Sequence, residues 1–161
     1  MKIEINNVSS RIERSKVAGA LSKLMADAWA LYLKTHGYHW NVRGPTFASL
    51  HALFEKQYGE QWEALDEVAE RIRSLGELAP QGYATFANLT AIKDGDPTKS
   101  SDEMIADLIE GNETLLATIR QVFEVADAAH DEATLDLLNA RTAAHEKHVW
   151  MLGATLETSI R

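Results

Sequence analysis

Residues 77–99, ELAPQGYATFANLTAIKDGDPTK, decide how this chain is arranged. The stretch holds Pro80, Gly82, Gly95 and Pro97 and lies between two long segments of helical periodicity. A connection this long usually has a function or carries structure of its own. Thr85 to Ile92 reads as a short helix within it. We read the stretch as a crossover that runs along a helical bundle and starts the next helix at the opposite end.

The flanking segments give four long helices. The first runs from Arg11 to Val42. Val17, Leu21, Leu24, Ala28, Leu31 and Thr35 form its apolar-leaning stripe, and His39 continues that line. Gly44-Pro45 ends it. The second runs from Thr46 to Gly76, with Leu50, Phe54, Leu65, Val68, Ile72 and Leu75 toward the core. The short turn between them implies an antiparallel hairpin. The third opens with a capping box, Ser100-x-x-Glu103, and carries Met104, Leu108, Leu115, Ile119 and Val122 before ending near Ala128. The fourth spans Glu132 to Ser159, with Leu135, Leu138, Val149, Leu152 and Leu156. Four helices with one long crossover between the second and third make an all-α, ferritin-like bundle. Residues 1–161 form one domain, and 1–10 a short N-terminal tail.

Bulk properties narrow the function. The chain has 161 residues and 45% hydrophobic content, enough for one domain with a real core. It has no cysteine, which excludes disulfides, thiolate metal sites and cysteine nucleophiles and suits a reducing cytoplasm. Met1 to Lys16 is polar and does not look like a signal peptide, and no apolar run is long enough to span a membrane. The net charge of −8 argues against a generally basic nucleic-acid surface and is compatible with attracting cations.

The second helix carries a ladder of metal-type ligands: His51, Glu55, Asp66 and Glu70. With His51 at zero on a helical wheel, Glu55 lies near ~40°, Asp66 near ~60° and Glu70 near ~100°. The apolar residues cluster at roughly −60° to −120°, so the ladder faces away from the subunit's own core. Glu55 and Asp66 are separated by ~16 Å along the axis, whereas metal bonds to nitrogen and oxygen are only ~2 Å. His51/Glu55 and Asp66/Glu70 are therefore two half-sites. The short turn places His39 beside the first of them.

Tyr58 and Trp62 lie between the half-sites on the same stripe. A two-fold axis near Trp62 would run two such helices antiparallel and bring the His51/Glu55 end of one copy to the Asp66/Glu70 end of the other. The expectation is two equivalent metal sites, each shared between two chains. The Glu-x-x-His signature of di-iron sites inside a bundle is missing: no Glu here has a His three residues later.

These residues also carry a resemblance. His39-Trp40-Asn41-x-x-Gly44-x-x-Phe47, His51-x-x-Phe54-Glu55, Asp66-x-x-Ala69-Glu70-Arg71-Ile72 and Val149-Trp150-Met151-Leu152 together resemble the Dps family, the DNA-binding proteins from starved cells, or miniferritins. The resemblance covers nearly the whole chain. It implies a hollow homo-oligomer, a dodecamer, with ferroxidase sites at two-fold interfaces. There Fe(II) is oxidised, preferentially by hydrogen peroxide, and stored as ferric mineral. It also implies that His39, His51 and Glu55 come from one chain and Asp66 and Glu70 from its partner, holding iron (Fe2+/Fe3+) as a di-iron or mononuclear site. The family often has Asp where this chain has Glu55. Imidazole and carboxylate also suit Zn(II) and Mn(II), so the ligand types alone do not select iron.

The remaining features have plainer readings beside functional ones. Trp40 adjoins a ligand and is expected to pack over the site. Trp40, Tyr58 and Trp62 read as packing residues before redox relays, and Trp29 and Trp150 as structural. Asp127, Asp131 and Asp136 cluster at the last interhelical connection. They are either a polar turn with an N-cap or, by the resemblance, an acidic iron-entry pore at a three-fold axis. His130, His145 and His148 are expected at the surface. Some miniferritins bind DNA through a lysine-rich terminal extension. Here Lys2, Arg11, Arg14 and Lys16 are interleaved with Glu4 and Glu13, so DNA binding should be weak or absent. A bundle without ferroxidase activity is the third reading.

Overall fold

Each long helix begins and ends for local reasons. The structure, a computed structural model, describes residues 10–156. α1 (Arg11–Asn41) opens at Ser10, whose hydroxyl accepts from the Glu13 amide while the Glu13 carboxylate accepts from the Ser10 amide. α2 spans Phe47–Ser74, and α3 is the short helix Tyr83–Leu89. α4 (Ser101–Ala128) opens at the capping box of Ser100 and Glu103 that the sequence indicates. α5 runs Glu132–Leu156; the rest of the expected helix, up to Ser159, lies outside the described residues, as do residues 1–9 of the expected tail. No strand occurs among the described residues, and no described helix is long and apolar enough to cross a membrane.

Two helix ends share one motif. At the end of α2, the Glu77 amide donates to the Ile72 carbonyl and the Gly76 amide to the Arg73 carbonyl, with Gly76 at φ +95°. At the end of α4, the Asp131 amide donates to Ala126 and the His130 amide to Asp127, with His130 at φ +52°. Both are Schellman caps, which place one residue in the left-handed region. Glycine holds that position in the first and histidine in the second.

The crossover takes the path expected of it. α1 packs against α2 and α4, α4 against α5, and α3 against α1. The short helix starts earlier than the sequence suggests and stops at Leu89 because Asp27 of α1 captures the chain. Asp27 is fully buried, and one carboxylate oxygen accepts from the Thr90 hydroxyl at 2.8 Å and the Ala91 amide at 2.7 Å. The other accepts from Lys23 and Thr118. Phe86 stacks on Trp29 with ring centroids 5.3 Å apart. At the far end Arg43 donates to the Pro97 and Thr98 carbonyls, and Tyr38 donates to Asp107.

The core is apolar at both ends and polar in the middle. On α2 the buried positions run Leu50, Phe54, Gln57, Gln61, Ala64, Leu65, Val68 and Ile72. On α5 they are Thr134, Leu138, Arg141, His145, His148 and Leu152. Gln57, Gln61, Arg141, His145, His148 and Asn112 of α4 thus form a buried polar layer. This corrects the surface placement of His145 and His148, which are 1% and 7% exposed. Both fall on the inward stripe that starts at Leu138. His130 is exposed, as expected.

Candidate metal centre

The tight connection 42–46, with Gly44 at φ +107°, folds the last turn of α1 back onto the start of α2. This sets His39 against His51. His39 Nδ1 donates to the His51 backbone carbonyl at 2.8 Å, and His51 Nδ1 donates to the His39 backbone carbonyl at 2.8 Å. The rings stack with centroids 3.7 Å apart. A carbonyl can only accept, so Nδ1 of each ring carries a proton, and in the neutral imidazole Nε2 then keeps its lone pair. A hydrogen bond on one ring nitrogen that frees the other is how metal-ligating histidines are usually oriented.

The carboxylates stand along the outside of α2. Glu55, Asp66 and Glu70 are exposed, while Leu50, Phe54, Leu65, Val68 and Ile72 are buried. The three carboxylates have no hydrogen-bond or ion-pair partner among the described residues. α2 is unbroken from 47 to 74, so Asp66 stays ~16 Å and Glu70 ~22 Å from Glu55 along the axis within one chain. Accordingly, one chain brings His39 and His51 together, with Glu55 one turn along α2 from His51, and leaves Asp66 and Glu70 apart. Among the described residues no three His, Asp or Glu side chains are grouped to hold a metal.

Aromatic rings join the two ends of the stripe. His39 contacts Tyr58 edge-on at 5.1 Å, Tyr58 lies 6.2 Å from Tyr32, Tyr32 5.5 Å from Trp62, and Trp62 6.1 Å from Trp29. Trp62 is 54% exposed and lines a cleft with Trp29 and Asp66. Trp40 is 67% exposed, and its ring lies 4.3 Å from His36. Trp150 is also 67% exposed.

Sequence reasoning missed His36. It stacks on Tyr58 at 4.0 Å, and its Nδ1 lies 3.1 Å from the Tyr32 hydroxyl. Burial, then the nearby His39, hold it below its ordinary range. The available signal was its place one turn before His39 on the same helix.

The acidic cluster divides. Asp131 is 8% exposed and caps α5, accepting from the Thr134 amide at 3.2 Å and the Thr134 hydroxyl at 2.6 Å. Arg71 donates to it at 2.5 Å. Burial pushes its carboxyl up, but Arg71 and Thr134 outweigh that and hold it below the ordinary value. Asp127 and Asp136 are exposed.

Comparison with known proteins places the fold. A ferritin-like domain matches residues 18–160. The DNA protection during starvation protein of Brevibacillus brevis is 40% identical over 88% of this chain and 95% of its own. The chain belongs to the Dps family of miniferritins. The solved Dps protein of Vibrio cholerae O1 superposes with a TM-score of 0.90 at 31% identity, covering 98% of this chain and all of that one. It is described as a member of a broad superfamily of ferritin-like diiron-carboxylate proteins. The Dps structure from Bacillus brevis gives a TM-score of 0.87 at 38% identity, covering 91% of this chain and 98% of its own. The fold of this miniferritin is thereby established.

Proposed function

We propose that this miniferritin oxidises Fe(II) with hydrogen peroxide at sites shared between two chains and stores the ferric product inside a hollow homo-oligomer, a dodecamer. His39, His51 and Glu55 of one chain face Asp66 and Glu70 of its partner. The observation that carries this reading is the reciprocal His39–His51 clamp. It leaves Nε2 of both rings free of the clamp, beside the α2 stripe whose three carboxylates have no partner among the described residues.

Fe(II) is the substrate. Each ferrous ion gives one electron and peroxide takes two: two Fe(II), one H2O2 and two protons yield two Fe(III) and two water molecules. Pairing two irons at or near one site completes the reduction without releasing hydroxyl radical. The carboxylates suit the harder ferric product. Exposed Asp127 and Asp136 are the residues we assign to iron entry. Asp131 serves there as the cap beneath them. DNA binding is expected to be weak, given the net charge of −8.

A complementation experiment tests the shared site. His39→Ala/His51→Ala chains and Asp66→Ala/Glu70→Ala chains are assembled separately and then together. Each alone should lose peroxide-driven Fe(II) oxidation. A mixed pair holds one site with both halves intact, so co-assembly should restore activity. No recovery in a confirmed mixed assembly would sink the shared site. Light scattering on the native protein checks the subunit count.

A further inference from the structure

Arg141 lies in the polar layer at the middle of the bundle, with its guanidinium among metal-type donors. Nη2 is 3.0 Å from Glu60 Oε2 and 3.0 Å from His145 Nε2, and Nη1 pairs with Glu60 Oε1. His148 Nε2 is 3.7 Å from the same Glu60 oxygen. His145 donates its Nδ1 proton to Asn112 Oδ1 at 2.8 Å, so its Nε2 can only accept. Gln61 is 2% exposed and lines a void of about 10 Å³ with Arg141 and His145; neither of its amide atoms has a partner among the described residues. His148 Nδ1 is buried and has no partner among the described residues either.

One carboxylate and two imidazoles are a common donor set for divalent metals. In bundles of this topology such donors project inward from facing helices and hold metal in the core. Here Glu60 and His145 converge on a guanidinium instead, and His148 stands beside Glu60. We infer that the Arg141 guanidinium occupies the cation position of the bundle interior and thereby keeps divalent metal out of the subunit core.

The geometry supports exclusion in three ways. Glu60 and His145 stand one hydrogen bond from the arginine nitrogen, at 3.0 Å, about 0.9 Å farther than a metal bond of ~2.1 Å. A metal would need them to close in, and the guanidinium prevents that. Arginine stays charged at any working pH, so its positive charge opposes a second cation at all times. Its planar fork also meets Glu60 with two N–H groups and His145 with one of the same pair, an arrangement a lysine ammonium would not reproduce. For iron, this would confine oxidation to the interchain ligands; that consequence rests on the function proposed above.

The test does not depend on it. Cobalt(II) is titrated into assembled protein carrying His39→Ala and Asp66→Ala, and binding is followed by visible absorption and by metal content after desalting. With Arg141 present, the interior should take up no cobalt. Adding Arg141→Ala should create about one cobalt site per chain, with the stronger visible bands of a low-coordinate ion. A further Glu60→Gln substitution should abolish that site. Equal cobalt uptake with and without Arg141, or uptake that survives Glu60→Gln, would overturn the inference. If the Arg141→Ala chain does not fold alone, refolding is repeated with cobalt(II) or guanidinium ion. Recovery with either supports a vacated cation position, and recovery with neither overturns it. The background lacks proposed interchain ligands, so a negative result here leaves the interchain site untouched, and failed complementation there leaves this inference untouched.

Discussion

His39 and His51 each donate Nδ1–H to the other's backbone carbonyl at 2.8 Å, across the turn that joins α1 to α2. The partners are main-chain atoms, so replacing one imidazole does not remove the other's acceptor. His51→Ala should cost one ligand and leave His39 in the same tautomer. Nitrogen NMR of the metal-free protein should show both residues as Nδ1–H, and His39 should remain so in His51→Ala. Peroxide-driven Fe(II) oxidation should fall at least tenfold in that variant, roughly the loss expected when metal affinity is weakened by even a second-sphere change. An Nε2–H form at His39 in the native protein would refute the clamp as an orienting device.

His130 caps α4 with φ +52°, where an L side chain is strained. The equivalent position at the end of α2 is Gly76. His130 is exposed and its backbone amide carries the cap. His130→Gly should therefore raise unfolding free energy by about 0.5–1 kcal/mol, less the entropy glycine adds to the unfolded chain. Urea unfolding measures this, and a loss of stability would show that the imbalance lies elsewhere.

The helices and the outward stripe of α2 were legible because each depends on one periodicity within a continuous segment. The wheel of α2 separated Glu55, Asp66 and Glu70 from Leu50, Phe54 and Ile72, and the structure exposes the first set and buries the second. The capping box of Ser100 and Glu103 was local for the same reason. His145 and His148 were misread because histidine beside Glu146 and Lys147 looks solvated, though the 3–4 spacing from Leu138 through Arg141 to Leu152 runs inward. The end of α3 was not readable locally. It is set by Asp27, 63 positions from Thr90, and only the folded bundle brings them together.

The buried imidazoles make stability sensitive to acid. Burial pushes His148 down to about 4 from its ordinary value of 6.5, with Glu60 opposing and Arg141 and Lys147 reinforcing the shift. His145 is held well below 6.5 by burial, then Arg141, then His148. Below 6.5 the unfolded chain takes up protons that the folded chain refuses, so stability falls as pH falls. The loss is about 1.4 kcal/mol per pH unit for each group, or about 2 kcal/mol from His148 alone at roughly pH 5. Above 6.5 neither contributes a slope. His148→Gln should flatten the pH dependence of urea midpoints between about pH 6 and pH 4.5. An unchanged slope would place the acid sensitivity on other groups.

Asp27 holds the crossover to the bundle through a buried carboxylate with Lys23, Thr118, Thr90 and the Ala91 amide. Asp27→Ala strands four donors, two of them side-chain hydroxyls. Breaking such a network should cost about 3–5 kcal/mol, the range for removing one partner of a buried ion pair. Thr90→Val removes one hydroxyl bond and should cost about 1 kcal/mol. Hydrogen exchange distinguishes the effects: Thr90→Val should release protection at Phe86 to Ala91 while α4 and α5 stay protected. Uniform loss across all helices would mean that α3 and its anchor unfold only with the whole bundle.

Asp131 and its neighbours should separate by what they lose. Both Asp131 oxygens are committed, one to Arg71 and the Thr134 amide, the other to the Thr134 hydroxyl. Its carboxyl is held below the ordinary value, so this anchorage persists at neutral pH and weakens only as pH falls into the carboxylate range. Asp131→Ala should cost about 2 kcal/mol or more, combining a lost N-cap with an unpaired Arg71. Exposed Asp127 and Asp136 have no such duty. Asp127→Asn and Asp136→Asn should leave urea midpoints unchanged and slow the uptake of Fe(II) from dilute solution, because lost surface charge lowers the local cation concentration. That slowing should fade as salt is added. Uptake at the native rate in the double Asn variant at low salt would remove these two residues from the entry route and leave the cluster a polar turn with one cap.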